Sequence, residues 1–407
     1  MKRTTVDTLT ARQTALAESL SRESLDAWQL DRLNATLRHV TASPFYRRHL
    51  TGIAPLNSLA DLSRLPFLTT GDLRSEGLNL QCLSQSEIAR IITLNTSGST
   101  GAAKRIAFTS GELKATREFF REGMENLLRP EERVLVLLPA DRPDSTGDLL
   151  RSCLPEKGHP TFIHWPPGTP QQCAAVVEAH GANCVIGLPQ HLLSLAETLG
   201  KRHPVCTVLL NSDYAPPALR QRIEACGITT FLHYGATETG LGGGVECDHH
   251  HGCHLREADI LVEIIDPQTG VPLAEGETGE IVLTTLRRRA MPLIRYLTGD
   301  SGALTRQPCA CGGITTRLLD IHRHQGCDTP QGFLSSRQLD DLFFALPGLF
   351  DYRAALAPEG LHLEYLASEE ISPSHFTPPS GIPLASAKRV PGWTQKHTFK
   401  RILRDLR

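Results

Sequence analysis

No apolar run in this 407-residue sequence reaches the roughly 18 residues that a membrane-spanning helix requires, so no transmembrane segment is expected. Neither sign of charge is in excess. The 42 lysines and arginines against 44 aspartates and glutamates leave −2, which offers no electrostatic footprint to nucleic acid or an anionic membrane. No apolar stretch follows the charged start Met1-Lys2-Arg3-Thr4-Thr5, so a secretory leader is not expected. The eleven cysteines do not make an even set. In a long chain without an export signal they argue against a disulfide framework and for reduced thiols with a few metal ligands. Internal repeats and low-complexity segments are missing as well. Together these absences point to a cytoplasmic protein and say nothing of its chemistry. What is there is an ordinary globular composition, 40% hydrophobic and 21% charged. The length exceeds one small core and implies two or three domains.

Leu25, Trp28, Leu33, Leu37 and Val40 fall near helical spacing, and Pro44 ends that amphipathic helix. A strand over 89–94, a glycine loop and a helix over 112–128 follow. Short β-branched or apolar runs at 133–138, 161–165, 183–186, 207–210 and 229–233 then alternate with helical patterns at 173–179, 190–198 and 216–225. Such alternation predicts a parallel sheet with helices on its faces. After Glu238 the texture changes: 259–265 and 280–285 alternate like half-buried strands around a turn at 266–270, which predicts a small β subdomain. Residues 318–324 then read as a hinge and the last eighty or so as a small α/β lid.

Four short motifs stand out by their order: Thr96-Ser97-Gly98-Ser99-Thr100-Gly101-Ala102-Ala103-Lys104, Tyr234-Gly235-Ala236-Thr237-Glu238, Gly276-Glu277-Thr278-Gly279-Glu280 and Tyr296-Leu297-Thr298-Gly299-Asp300. The first offers hydroxyls flanked by glycines, whose backbone N–H groups can approach a phosphate closely. It is not a P-loop, because Lys104 is followed by Arg105 and not by a hydroxyl residue. Alone it would read as a Ser/Gly turn. Cysteine and histidine cluster twice, at Cys247-Asp248-His249-His250-His251-Gly252-Cys253-His254 and at Cys309-Ala310-Cys311-Gly312. Thiolates with imidazole in fours describe a closed structural zinc site. Cys247, His254, Cys309 and Cys311 are the candidate set, with His250 as the alternative to His254.

The joint occurrence, order and separation of the four motifs resemble the adenylate-forming (acyl-CoA synthetase) superfamily. The text around them looks like its phenylacetate–CoA ligase branch, in Gly244-Val245-Glu246-Cys247, Gly252-Cys253-His254-Leu255 and Met291-Pro292-Leu293-Ile294-Arg295-Tyr296. The resemblance is strong over 94–323 and weaker at both ends. It implies an α/β adenylate-forming fold. A large ATP- and acid-binding domain would span 1–320, with the β subdomain at about 240–318, and a small lid 321–407. It implies an ATP-dependent acid–CoA ligase that makes an acyl-adenylate from an aromatic or similar small carboxylic acid, then a CoA thioester with release of AMP. The implied cofactors are ATP, Mg²⁺ and CoA, and a homodimer is left open.

By the same resemblance Ser97, Gly98, Ser99, Thr100, Gly101 and Lys104 would hold the phosphates, and Tyr234 and Gly235 the adenine, with Asp213 beside it. Thr237 would touch the α-phosphate and Glu238 would bind Mg²⁺, as suits a hard carboxylate oxygen. Asp300 and Arg323 would hold the ribose. Lys400, or else Lys396, would be the lid lysine that reaches the reacting carboxylate. The acid would sit near Tyr234, Gly235 and Ala236, with walls from 137–141. Asp213 reads equally as the N-cap of the helix that follows it, and Lys400 as part of a basic helix end. The chain departs from the family at Ala103, Leu297, His322 and Gln325, and it lacks the usual glycine–lysine pair near Lys400. Rival readings are another acceptor, by AMP transfer to a cofactor or acyl transfer to a protein thiol, and a non-catalytic, zinc-organised nucleotide-binding protein.

Overall fold

The computed structural model describes residues 4–94, 103–330, 332–379, 381–391, 401 and 403–407. The chain forms two compact units, Met1–Asn126 with His233–Ile321, and Leu127–Leu232 with His322–Arg407. It passes between them after Ile321, inside the stretch that the sequence marks as a hinge. No helix of the described residues is long and apolar enough to cross a membrane.

The first unit joins N-terminal helices to antiparallel strands. The amphipathic pattern at 25–40 becomes the helix Arg22–His39, opened by a Ser21 capping box. The strand Arg90–Leu94 pairs with a second strand, Lys104–Phe108, in antiparallel register from Arg90 opposite Phe108 to Leu94 opposite Lys104. The sequence pattern gave a helix directly after the glycine loop. The intervening strand exists because Ile106, Ala107 and Phe108 bury one after another in the core. The helix Ser110–Met124 then starts at a Thr109–Glu112 capping box. The β region runs Ile260–Ile265, Gly279–Thr285, Tyr296–Thr305, Arg317–Arg323, Cys253–Leu255 and Gly244–Glu246 in spatial order. One core packs Leu33, Tyr46, Phe108, Leu293 and Tyr296 together.

The second unit holds the parallel strands in the order Thr161–Ile163, Val134–Val136, Cys184–Gly187, Thr207–Leu210 and the start of Thr229–Tyr234. The helices Pro170–His180, Pro189–Leu199 and Pro217–Ala225 each begin with a proline, where its missing N–H costs nothing. A four-stranded sheet follows, built on the hairpin Leu349–Ala357 and Gly360–Ala367. Leu192 and Leu195 share a core with Phe343, Tyr352 and Tyr365.

Candidate active site and candidate metal centre

Tyr234 ends its strand, and Gly235 begins a tight turn that closes through Leu241 N–H to Ala236 O at 2.8 Å. A Cβ on Gly235 would lie 2.5 Å from both the His233 ring and the Leu241 carbonyl, so only glycine fits. The turn carries Thr237 and puts the carboxylate of Glu238 into a nearly water-free position, 7% exposed. There Lys104, at the start of its strand, forms a short ion pair with Glu238. The Tyr296 hydroxyl donates to the same carboxylate oxygen at 3.1 Å and meets the Thr70 hydroxyl at 2.9 Å. Burial pushes the Glu238 carboxyl up, but the Lys104 charge and hydrogen bonds outweigh it, and the net shift is downward. Burial, then the charge of Glu238, raises the Tyr296 phenol.

Arg295 fixes the segment that delivers Tyr296. Its guanidinium is buried, grips Glu263 at 3.1 and 3.2 Å, and donates to the Ser63 and Leu65 carbonyls. Asp300 lies four residues along the same strand, its N–H held by Thr298 Oγ1 at 3.1 Å. Burial raises the Tyr234 phenol, and the negative charges of Asp300 and Glu238 add to the effect. Lys104, Tyr234, Glu238, Tyr296 and Asp300 are thus one electrostatic group within the first unit. Ser97, Gly98, Ser99, Thr100, Gly101, Lys396 and Lys400 lie outside the described residues.

Asp213 and Arg323 are in the second unit and line one small cleft with His322, Gln325, Arg337 and Arg401. Asp213 caps no helix. The helix that follows has Pro216 at its N-cap with no side-chain bond. The Asp213 carboxylate instead accepts the Arg401 N–H at 3.0 Å and faces its guanidinium at 3.7 Å. Arg401 also bonds Asp340 at 2.8 Å and Gln190 at 2.9 Å. Burial alone would lower the arginine's pKa, but Asp213 and Asp340 raise it on balance. Asp340, buried and tied to Tyr352 at 2.7 Å, is pushed up to about 6 by that burial against the opposing pull of Arg401. Arg323 itself is exposed.

Cys247, His254, Cys309 and Cys311 converge, with ligand atoms all within 4.8 Å of one another. The Cys247 and Cys309 sulfurs are 3.8 Å apart and Cys311 Sγ is 3.4 Å from His254 Nε2. The edge of a tetrahedron around Zn²⁺ is roughly 3.8 Å for bonds of about 2.3 Å to sulfur, so the donor set and its spacing fit that ion. His250 points elsewhere, toward Glu246 at 3.5 Å. The sequence did not reveal the residues behind the cluster. His254 Nδ1 meets Thr315 Oγ1 at 2.9 Å, and buried Asp7 accepts from the Ile314 and Thr315 N–H groups at 3.1 and 2.9 Å. Only the folded chain brings Asp7 to within reach of a segment more than three hundred residues away. The Tyr296 hydroxyl and the Arg401–Asp340 pair were missed as well. Tyr296 sits inside a motif whose sequence signal is its aspartate, Asp300.

The sequence matches the family model described as AMP-binding enzyme over residues 74–286. It is 32% identical over 322 residues to the phenylacetate-coenzyme A ligase of Thermus thermophilus, an alignment covering 75% of this chain and 71% of that protein. Against the phenylacetate-coenzyme A ligase of Escherichia coli it is 29% identical over 306 residues, 70% and 68% of the two chains. Among solved structures, a 2-hydroxyisobutyryl-CoA ligase in the postadenylation state superposes with a TM-score of 0.78 at 19% identity, over 96% of this chain and 91% of that one. This last likeness is one of fold.

Proposed function

Since the chain belongs to the AMP-binding enzyme family, in the branch of the phenylacetate–CoA ligases, we propose that it activates an aromatic or similar small carboxylic acid with ATP and passes the acyl group to CoA. The carboxylate attacks the α-phosphorus and pyrophosphate leaves, giving an acyl-adenylate. The CoA thiol then attacks the acyl carbon and AMP leaves. No side chain needs to be a nucleophile, so the residues act by positioning and by stabilising charge. The observation that carries this reading is the buried Lys104–Glu238–Tyr296 cluster at the foot of the glycine-loop hairpin.

Lys104 and the Tyr296 hydroxyl keep Glu238 ionised and aimed, as a hard oxygen donor for Mg²⁺ must be. Bound there, Mg²⁺ would supply charge to offset the negative charge that builds on the phosphate. Thr237 serves the α-phosphate, Tyr234 and Gly235 the adenine, Asp300 and Arg323 the ribose, with Asp213 at the adenine edge. Ser97, Gly98, Ser99, Thr100 and Gly101 cradle the phosphates with Lys104. Lys400 is the lid lysine, with Lys396 as the alternative. A lid over 321–407 rests on the family resemblance, since residues 322–407 share one compact unit with 127–232. Cys247, His254, Cys309 and Cys311 hold a structural Zn²⁺, a role supported by the convergence of their ligand atoms within 4.8 Å. The test is pyrophosphate release on mixing ATP with a panel of aryl and short aliphatic acids, followed by thioester formation on adding CoA. Release with some acid and thioester with CoA are expected. No release with any acid overturns the ligase, and release without thioester moves the acceptor away from CoA.

A further inference from the structure

A cavity of about 660 Å³ opens at the start of the helix Ser110–Met124 and is lined by Arg256, Arg287, Arg288 and Arg289 together with Thr239 and Gly240. The acids on its wall are committed. Glu112 accepts the N–H groups of Arg289 and Ala290 at 2.6 and 3.0 Å through one oxygen, and that of Thr109 at 2.7 Å through the other. Asp259 holds Arg256 at 2.5 Å and Arg287 at 3.4 Å. Glu87 accepts from Ser84 N–H at 3.3 Å.

Arg288 is different. It is only 8% exposed, its guanidinium lies over the Phe108 ring at 4.9 Å, and its Nη1 is buried without a hydrogen-bond partner among the described residues. Glu112, Glu238 and Asp259 offset part of its charge, but a buried guanidinium nitrogen without a hydrogen-bond partner is still costly, and an anion relieves that cost. The same cavity receives the Ser110 and Gly111 end of a fifteen-residue helix, whose dipole also favours an anion. The volume is of the size that holds a small organic ligand, larger than a single oxyanion requires. Gly240 is two residues beyond Glu238, so the cavity adjoins the turn of the candidate active site.

We propose that this cavity is a second phosphate site, in which Arg288 and the start of the helix Ser110–Met124 bind a phosphate or diphosphate group. Two sources share this chemistry, the phosphates of the acceptor CoA and free pyrophosphate. Only the first rests on the ligase reading, and binding is measured without turnover, so the two ideas fail separately. The experiment is calorimetric titration of the full chain with CoA, dephospho-CoA, pyrophosphate and ATP, in wild type, Arg288→Gln and Ser110→Glu. Ser110 is exposed, so its variant adds a repelling carboxylate at the cavity mouth without disturbing the core.

Affinity for CoA or for pyrophosphate should fall at least ten-fold in both variants while affinity for ATP stays within two-fold. A loss for CoA that dephospho-CoA does not share assigns the site to the 3′-phosphate. An equal loss for CoA and dephospho-CoA assigns it to the diphosphate, and a loss for pyrophosphate alone to the free anion. Unchanged affinity for all three in folded Ser110→Glu and Arg288→Gln overturns the site. If Arg288→Gln does not fold, Ser110→Glu decides alone.

Discussion

Lys104 and Glu238 form an ion pair in which the carboxylate is almost out of water. Here each is the other's partner, and Tyr296 adds a third contact on the same oxygen. Glu238→Gln keeps the shape and removes the charge, so acyl-adenylate formation should fall by about 100-fold or more. ATP should still bind, with the fold intact by circular dichroism; normal turnover at low Mg²⁺ would show that the carboxylate is structural. The same pair has a pH signature. The folded-state pKa of Glu238 lies below its ordinary value, so its contribution to stability is present above the unfolded carboxyl pKa and lost as pH falls through the folded one. Lys104→Ala should therefore flatten the acid limb of stability as pH falls below the ordinary glutamate pKa of about 4.3, read as the urea midpoint against pH. An acid limb parallel to wild type would mean that the pair carries no such contribution.

At the scale of elements, the turn after Tyr234 is the most constrained piece of backbone in the candidate site. A methyl on Gly235 would press on the Leu241 carbonyl at 2.5 Å, and a carbonyl within a closed turn cannot swing aside as a side chain can. Gly235→Ala should cost about 1–3 kcal/mol of stability and displace Glu238, with adenylation falling further than the melting temperature suggests. Wild-type kinetics in this variant would mean that the turn is elastic. The sequence made such elements readable wherever chemistry and backbone demands coincided in a few adjacent residues, as in Tyr234–Glu238. It could not show the strand Lys104–Phe108, because five residues between a glycine loop and a helix carry too little periodicity to be told from loop. Nor could it show that Asp213 meets Arg401. Periodicity tells which face of an element is buried and not what covers it, and 188 residues separate those two partners.

At the scale of the whole molecule, each compact unit has a buried polar node that gathers distant chain segments. In the second unit Arg401 brings together Asp213, Gln190 and Asp340. Arg401→Ala would leave two buried carboxylates without their cation, a change that costs about 3–5 kcal/mol. It should lower the denaturant midpoint sharply, and a shift no larger than that of an exposed arginine variant such as Arg202→Ala would deny the node its role. The first unit has the Cys247–His254–Cys309–Cys311 cluster, to which Asp7 adds the N-terminal helix through the backbone of Ile314 and Thr315. If the four hold Zn²⁺, protein purified without added metal should carry one ion per chain by elemental analysis. Cys311→Ser should lose it and melt lower, because the unfolded chain has no formed site and metal affinity becomes folding energy. Asp7→Asn is the more discriminating variant. It leaves all four ligands in place but weakens the hold on Thr315, which orients the His254 ring. Outer-shell changes of this kind cost about 10–100-fold in metal affinity, so Asp7→Asn should keep the stoichiometry yet surrender zinc to a chelator faster than wild type does. Metal-free wild type with a melting temperature that a chelator does not move would leave these cysteines as buried thiols.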